Sequence, residues 1–265
     1  MYEFKYVRPT SVRQAANMLA KDGEAKILAG GHSLLPAMKL RLAKHTQLLD
    51  LGKVEGLNTI ELKGRSLDIG AMTRHIEVAN SPVVKEALPA LAELAGMIGD
   101  PAVRHRGTIG GSLANNDPNA DYPAAALGLG ATIVTNKRKI AADDYFKGMF
   151  ETALEPDEII TRVSFPLAKK AAYQKFKHPA SGFALVGVFV SKRSSDIRVA
   201  VTGAGANGVF RVTSFEEALK KRFSPKSIEG MTIPADGMNT DIHGSAEYRA
   251  HLVAVMARRA LAAAQ

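Results

Sequence analysis

The 265-residue chain contains no cysteine and no tryptophan, and its 35 Lys and Arg against 26 Asp and Glu give a net charge of +9. Without cysteine, the polypeptide itself can form no disulfide, thiolate-held iron–sulfur cluster or zinc–thiolate site, and it offers no thiol nucleophile. No run approaches the roughly 20 apolar residues that span a bilayer, and Met1 to Ser11 lack the charged-then-apolar layout of a secretory signal, so a cytoplasmic protein with no membrane span is expected.

Residues 4–7 predict a short strand. Thr10 or Ser11 then caps a helix whose apolar residues Val12, Ala15, Ala16 and Leu19 follow a 3.6-residue period and which ends at Gly23. A strand over 26–29 runs into Gly30-Gly31-His32-Ser33, an amphipathic stretch covers 34–42, and a third strand lies at 47–51. These elements make a β-α-β segment, residues 1–55. The segment 56–168 opens with a hairpin of 58–62 and 66–71 around Lys63-Gly64-Arg65. Thr73 caps a helix there, a longer helix covers 83–97, strands follow at 131–135 and 139–142, and 159–165 closes the segment before Pro166. The segment 169–265 starts after a Lys169/Lys170 linker. It holds a hairpin of 183–192 and 196–204, joined by Arg193-Ser194-Ser195, then helices over 214–222 and 246–264. The class is α+β with three subdomains.

The basic charge raises nucleic acid as a partner. The lysines and arginines, however, fall in short scattered groups such as Arg41/Lys44, Lys137/Arg138/Lys139 and Lys220/Lys221/Arg222, without interleaved aromatics. They read as solvated turns and helix ends, and no nucleic-acid partner is expected. No G-x-S-x-G elbow and no H-E-x-x-H helix occurs, so neither a serine triad nor a zinc hydrolase site is supported.

Two passages share one design, an apolar strand end followed by a glycine pair and small polar residues: residues 27–34 and 108–112. Adjacent glycines permit positive φ and close backbone approach, and successive amides in such a turn form an anion cradle. Two such loops from different subdomains could clamp a diphosphate, which calls for a dinucleotide-sized cofactor. Equally, a glycine pair after a strand makes a tight turn with no ligand at all. The spacing is not the dinucleotide G-x-G-x-x-G or the P-loop G-x-x-x-x-G-K. Downstream, Asp121 is either a turn residue before a helix or a partner for a sugar hydroxyl.

The motifs Ala29-Gly30-Gly31-His32-Ser33, Thr108-Ile109-Gly110-Gly111-Ser112 and Asp117-Pro118 followed by Asp121 resemble the FAD-binding medium subunits of carbon monoxide dehydrogenase and its relatives, the molybdenum hydroxylases that include xanthine dehydrogenase. The likeness continues through residues 173–183 and ends in residues 246–249 and 255–260. It implies a vanillyl-alcohol-oxidase-type FAD-binding fold of two α/β subdomains, plus a C-terminal domain with a three-stranded sheet and helices. It also implies that Ile27, Leu28, Ala29, Gly30, Gly31, His32, Ser33 and Leu34 hold the FAD diphosphate together with Thr108, Ile109, Gly110, Gly111 and Ser112. Asp121 takes a sugar or ribityl hydroxyl, and the Ile160 backbone meets the isoalloxazine edge. Lys175 and Phe183 lie beside the ring, where a lysine favours the reduced flavin. Ser112 departs from the Asn or Asp usual in relatives.

The same resemblance implies that this chain holds neither metal nor catalytic residue of its own. A large subunit would carry a molybdopterin-type molybdenum cofactor and a small one two [2Fe–2S] clusters, assembled as a dimer of heterotrimers. Electrons would reach the FAD from those clusters and leave to an external acceptor. A stand-alone FAD-dependent oxidoreductase of the same fold is the alternative.

Overall fold

The computed structural model describes residues 1–264. Its first sheet is parallel, built from β1 (Lys5–Val7), β2 (Lys26–Leu28) and β3 (Gln47–Asp50) in the order β1-β3-β2. The crossover helix α1 (Val12–Lys21) is capped by Ser11, whose hydroxyl accepts from the Gln14 amide, and it buries Ala15 and Leu19 against Leu49 and Leu51. A second short helix, α2 (Leu34–Lys39), starts directly after the first glycine pair.

The second sheet is antiparallel, with order β4-β5-β10-β6-β7. Along the chain these are β4 (Ile60–Lys63), β5 (Ser66–Gly70), β6 (Thr132–Thr135), β7 (Lys139–Ala141) and β10 (Ile160–Pro166), with the hairpin β8 (Phe146–Gly148) and β9 (Glu151–Thr152) standing apart. Its helices are α3 (His75–Asn80), α4 (Pro82–Ala87), α5 (Pro89–Gly96), α6 (Pro101–Arg104), α7 (Ile109–Asn115), α8 (Tyr122–Leu129) and α9 (Ala142–Tyr145). Two expectations are corrected here. Thr73 does not cap α3: its amide is held by Gly70 O and its carbonyl by the Ile109 amide, and the cap is Arg74, whose own amide donates to the Glu77 carboxylate at 2.7 Å. The long helix expected over 83–97 is two helices. Pro89 lacks an amide and excludes helical backbone at Leu88, which sits at φ −147°, ψ 70°.

The third sheet is antiparallel, β11 (Lys170–Lys177), β12 (Ala184–Arg193), β13 (Asp196–Thr202) and the short β14 (Phe210–Arg211), flanked by α10 (Thr213–Lys221) and α11 (Ala246–Ala263). Lys169 and Lys170 are not a linker. The Lys169 amide donates to Lys192 O and Lys170 opens β11, so the sheet begins where the second one has barely ended. Three long strands match the expected sheet, and the two-residue β14 adds a fourth.

The middle strand explains how the halves join. On one face of β12, Val186, Val188 and Val190 pack into a core with Val253 and Ala257 of α11. On the other, Phe189 joins the core of the second sheet and the Ser191 hydroxyl donates to Gly128 O of α8 at 2.6 Å. All eight residues of α8 are buried, as expected for a helix that is apolar all round. It is the shared layer between two sheets. The turn that feeds α8 is gripped from the third sheet as well. The Thr202 hydroxyl stands 3.0 Å from Pro118 O and 2.7 Å from Ala120 O, and the Gly203 amide donates to Pro118 O at 2.8 Å.

Thr202 is fully buried, so Thr202→Val keeps the shape but leaves the Ala120 carbonyl without its donor. The expected loss is about 1–3 kcal/mol of stability in urea unfolding. An unchanged midpoint would show that the hydroxyl does not hold this joint.

Candidate FAD site

The first glycine loop leaves β2 at Leu28, where Ile27 and Leu28 pair with Leu49 and Asp50, and enters α2 at Leu34. Gly31 has φ +79°, a left-handed conformation that favours glycine. Among the described residues, nothing accepts a hydrogen bond from the amides of Gly30, Gly31, His32 or Ser33. His32 and Ser33 are exposed. The loop is therefore a run of free donors beside a glycine-lined surface.

The second loop is built the other way. Thr108 caps α7, and its hydroxyl accepts from the Gly111 amide at 3.2 Å. The Ile109 amide donates to Thr73 O, the Gly110 amide to Ala71 O, and the Ser112 amide to Thr108 O. Gly110 is glycine for packing, since a Cβ there would lie 2.5 Å from the Ala71 Cβ. This loop thus brings few free amides. It offers the half-buried Ser112 hydroxyl and a rigid wall stitched to residues 71–73.

The two loops touch through bare backbone. A Cβ on Gly30 would lie 2.3 Å from Arg106 O and 2.7 Å from Gly107 Cα, and Gly111 faces the Ala29 methyl at 3.5 Å on the same measure. Behind this contact stands His75, whose amide donates to Gly107 O and whose Nε2 would lie 2.4 Å from a Cβ on Gly107. Burial, reinforced by the charges of His32 and Arg104, holds the His75 imidazole down to about 4, so it is neutral near pH 7. The Arg104 guanidinium donates to the carbonyls of Ile98 and Gly99.

The remaining candidate residues occupy neighbouring positions. The Thr161 carbonyl, next to Ile160 at the start of β10, accepts from the Ala71 amide, and Ala71 O accepts from Gly110, so Ile160 is tied to the second loop through the sheet. Lys175 donates to Asp121 Oδ2 at 2.9 Å and to Met97 O at 3.2 Å. Asp121 is buried, and its other oxygen accepts from the Tyr173 hydroxyl at 2.5 Å. Phe183 is 48% exposed and ends a loop whose Gly182 lies beside Gly99, just past Met97. The loops, Asp121, Lys175 and Phe183 are thus linked through residues 97–121. The contacts that sequence reasoning missed are Gly107, His75, Met97 O and Tyr173. Of these only Tyr173 left a trace, as the alternating Tyr-x-Lys of β11.

Residues 2–168 match the family model described as the FAD binding domain in molybdopterin dehydrogenase. The chain belongs to that family. Residues 171–264 match the CO dehydrogenase flavoprotein C-terminal domain. The chain is 38% identical over 271 residues to the nicotine 6-hydroxylase medium subunit of Paenarthrobacter nicotinovorans, spanning 97% of this chain and 95% of that one. It is 36% identical over 277 residues to the carbon monoxide dehydrogenase medium chain of Hydrogenophaga pseudoflava, spanning 98% and 96%. The solved carbon monoxide dehydrogenase from Hydrogenophaga pseudoflava that lacks the Mo-pyranopterin moiety superposes with a TM-score of 0.89 at 35% identity, over 99% of this chain and 97% of that one. The protein is accordingly an FAD-binding oxidoreductase subunit of the molybdenum hydroxylase family. Its residues fit the cofactor: the free amides of Gly30 to Ser33 suit diphosphate oxygens, and the side-chain-free contact at Gly30 is a cradle that any Cβ would fill.

Two outcomes follow. Gly30→Ala forces the loops apart, and the purified protein should lose its flavin, read as absorbance near 450 nm per mole of chain; full retention would disprove the cradle. For His75, the unfolded imidazole titrates near 6.5 and the folded one near 4, so the unfolded chain binds an extra proton between those values. Stability present above pH 6.5 is therefore lost as pH falls toward 4, by roughly 3 kcal/mol. In FAD-free protein, His75→Gln should remove that part of the pH dependence in urea titrations, and a parallel profile would reject it.

Proposed function

We propose that this chain is the FAD-carrying electron-transfer subunit of a heterotrimeric molybdenum hydroxylase, arranged as a dimer of heterotrimers in the cytoplasm. Electrons come from the [2Fe–2S] clusters of a small partner and leave to an external acceptor, while a large partner with the molybdenum cofactor performs the substrate chemistry. The reading is supported by the names of the relatives that match nearly end to end, a medium subunit and a medium chain. It is also supported by the lack of cysteine, which leaves any cluster to another polypeptide.

The observation that carries it is the run of free amides meeting a wall of bare backbone. Bound there, FAD supplies an electron relay that accepts electrons singly and releases them in pairs. The chain's own residues position it. In this reading the amides from Gly30 to Ser33 and the Ser112 hydroxyl hold the diphosphate, while the backbone at Ile160 and the exposed ring of Phe183 border the isoalloxazine. Asp121 and Lys175 act as a pair, because both Asp121 oxygens already have protein donors. A sugar hydroxyl on Asp121 would use a remaining lone pair of the carboxylate.

The test is purification of the tagged chain from its native host, with flavin, iron and molybdenum measured together. Flavin accompanied by iron and molybdenum in two further polypeptides is expected. A yellow protein that turns over a small substrate with neither metal would replace this reading with the stand-alone oxidoreductase.

A further inference from the structure

Tyr173 lies two residues before Lys175 on β11, so the two side chains leave the strand on the same side. The strand register sets Tyr173 opposite Phe189 and Lys175 opposite Gly187. The tyrosine leans diagonally across that pair. A Cβ on Gly187 would lie 2.2 Å from its hydroxyl oxygen and 2.9 Å from Cζ, so the phenol passes through a notch that only glycine leaves open. Phe189 backs the ring at 6.3 Å between centroids. The hydroxyl thereby reaches Asp121 Oδ1, and Oδ2 is left for Lys175.

The group is almost dry, with Tyr173 at 1%, Asp121 at 3% and the Lys175 side chain at 1% exposure. Burial pushes Asp121 upward against the opposing Lys175 charge, and burial beside Asp121 pushes the Tyr173 phenol well above its ordinary value, so the phenol is a fixed donor. An ammonium has three donors. Asp121 and Met97 O take two, and among the described residues nothing accepts the third. The third is left for an acceptor outside these two, and a donor so placed favours one by about 1–3 kcal/mol.

We propose that Tyr173 is a positioning residue for the FAD: by occupying Asp121 Oδ1 through the Gly187 notch, it fixes Lys175 so that the ammonium's third N–H points to an acceptor atom of the bound cofactor. This rests on the FAD assignment above. No part of the flavin need touch Tyr173, and the effect travels through one carboxylate.

The test uses the assembled enzyme and its FAD-depleted form. Tyr173→Phe removes one atom and leaves the ring in its notch. FAD affinity, from quenching of flavin fluorescence, should fall about tenfold, the equivalent of one charge-assisted hydrogen bond. The flavin midpoint potential should move to a more negative value as the cation loses its place. In a Lys175→Met background the same substitution should change neither quantity further. Gly187→Ala, which fills the notch, should reproduce the Tyr173→Phe shift; if that variant does not fold, the phenylalanine variant decides alone. Parent-like affinity and potential in Tyr173→Phe, or an undiminished effect without Lys175, would overturn the role. Failure of the parent chain to bind FAD would instead overturn the assignment beneath it.

Discussion

The structure turns on a place where no side chain is allowed. Gly30, at the end of a parallel sheet, lies against the backbone of Arg106 and Gly107, which belong to the helical cover of a different sheet. Two separately cored units can approach that closely only if neither presents a Cβ. Once they do, the division of labour between the loops follows. The second loop uses its amides on residues 71–73 and becomes stiff, and the first keeps its amides free and becomes the donor. A loop with every donor satisfied would be a poor anion site, and a loop with none satisfied would be poorly held without a rigid neighbour. Each has what the other lacks.

A second contact plane makes the C-terminal sheet part of the same machine. Because β12 is buried on both faces, it serves α11 with its valines and α8 with Phe189 and Ser191. Asp121 stands directly before the helix α8, and the turn leading to it is held by Thr202 and Gly203. Lys175, Tyr173 and Thr202 all come from the third sheet, yet each ends on residues between Met97 and Asp121 of the second unit. The surface that carries these candidate residues is therefore composite. Its shape depends on sheet-to-helix packing as much as on the glycine loops.

Much of this was legible from the chain. The first glycine pair, the capped first helix, the 183–192 and 196–204 hairpin and the two last helices stand where periodicity and turn chemistry put them, within a residue or two, whereas the second pair, expected as a turn after a strand, lies in the first turn of α7 behind the Thr108 cap. The errors have physical reasons. Thr73 has the chemistry of a cap, but its carbonyl and amide are claimed by residues distant in sequence, which local pattern cannot show. The break at Leu88 was announced by Pro89 and overlooked amid continuous apolar spacing. Lys169 and Lys170 resemble a linker because charge pairs are common in loops, yet β11 starts there as the edge strand of the third sheet. At the site, residue types were readable but donor supply was not. Which amides are free depends on who sits behind each loop. The partnership of Asp121 with Tyr173 and Lys175 joins positions more than fifty residues apart, and only the folded sheet brings them together.

The grip of Thr202 on the turn before α8 also sets an order in time. The contact spans 84 residues of chain. At a ribosomal pace of about 5–20 residues per second, both glycine loops emerge roughly ten seconds before the strand that steadies the turn between them and the C-terminal sheet. When those loops emerge, neither sheet that packs on α8, apolar on every side, is complete: the middle strand of the second, β10, follows at Ile160–Pro166, and the third sheet follows that. The nascent chain thus leaves its most hydrophobic helix exposed until the third sheet is made, and completion of that sheet closes both the core and the waiting period.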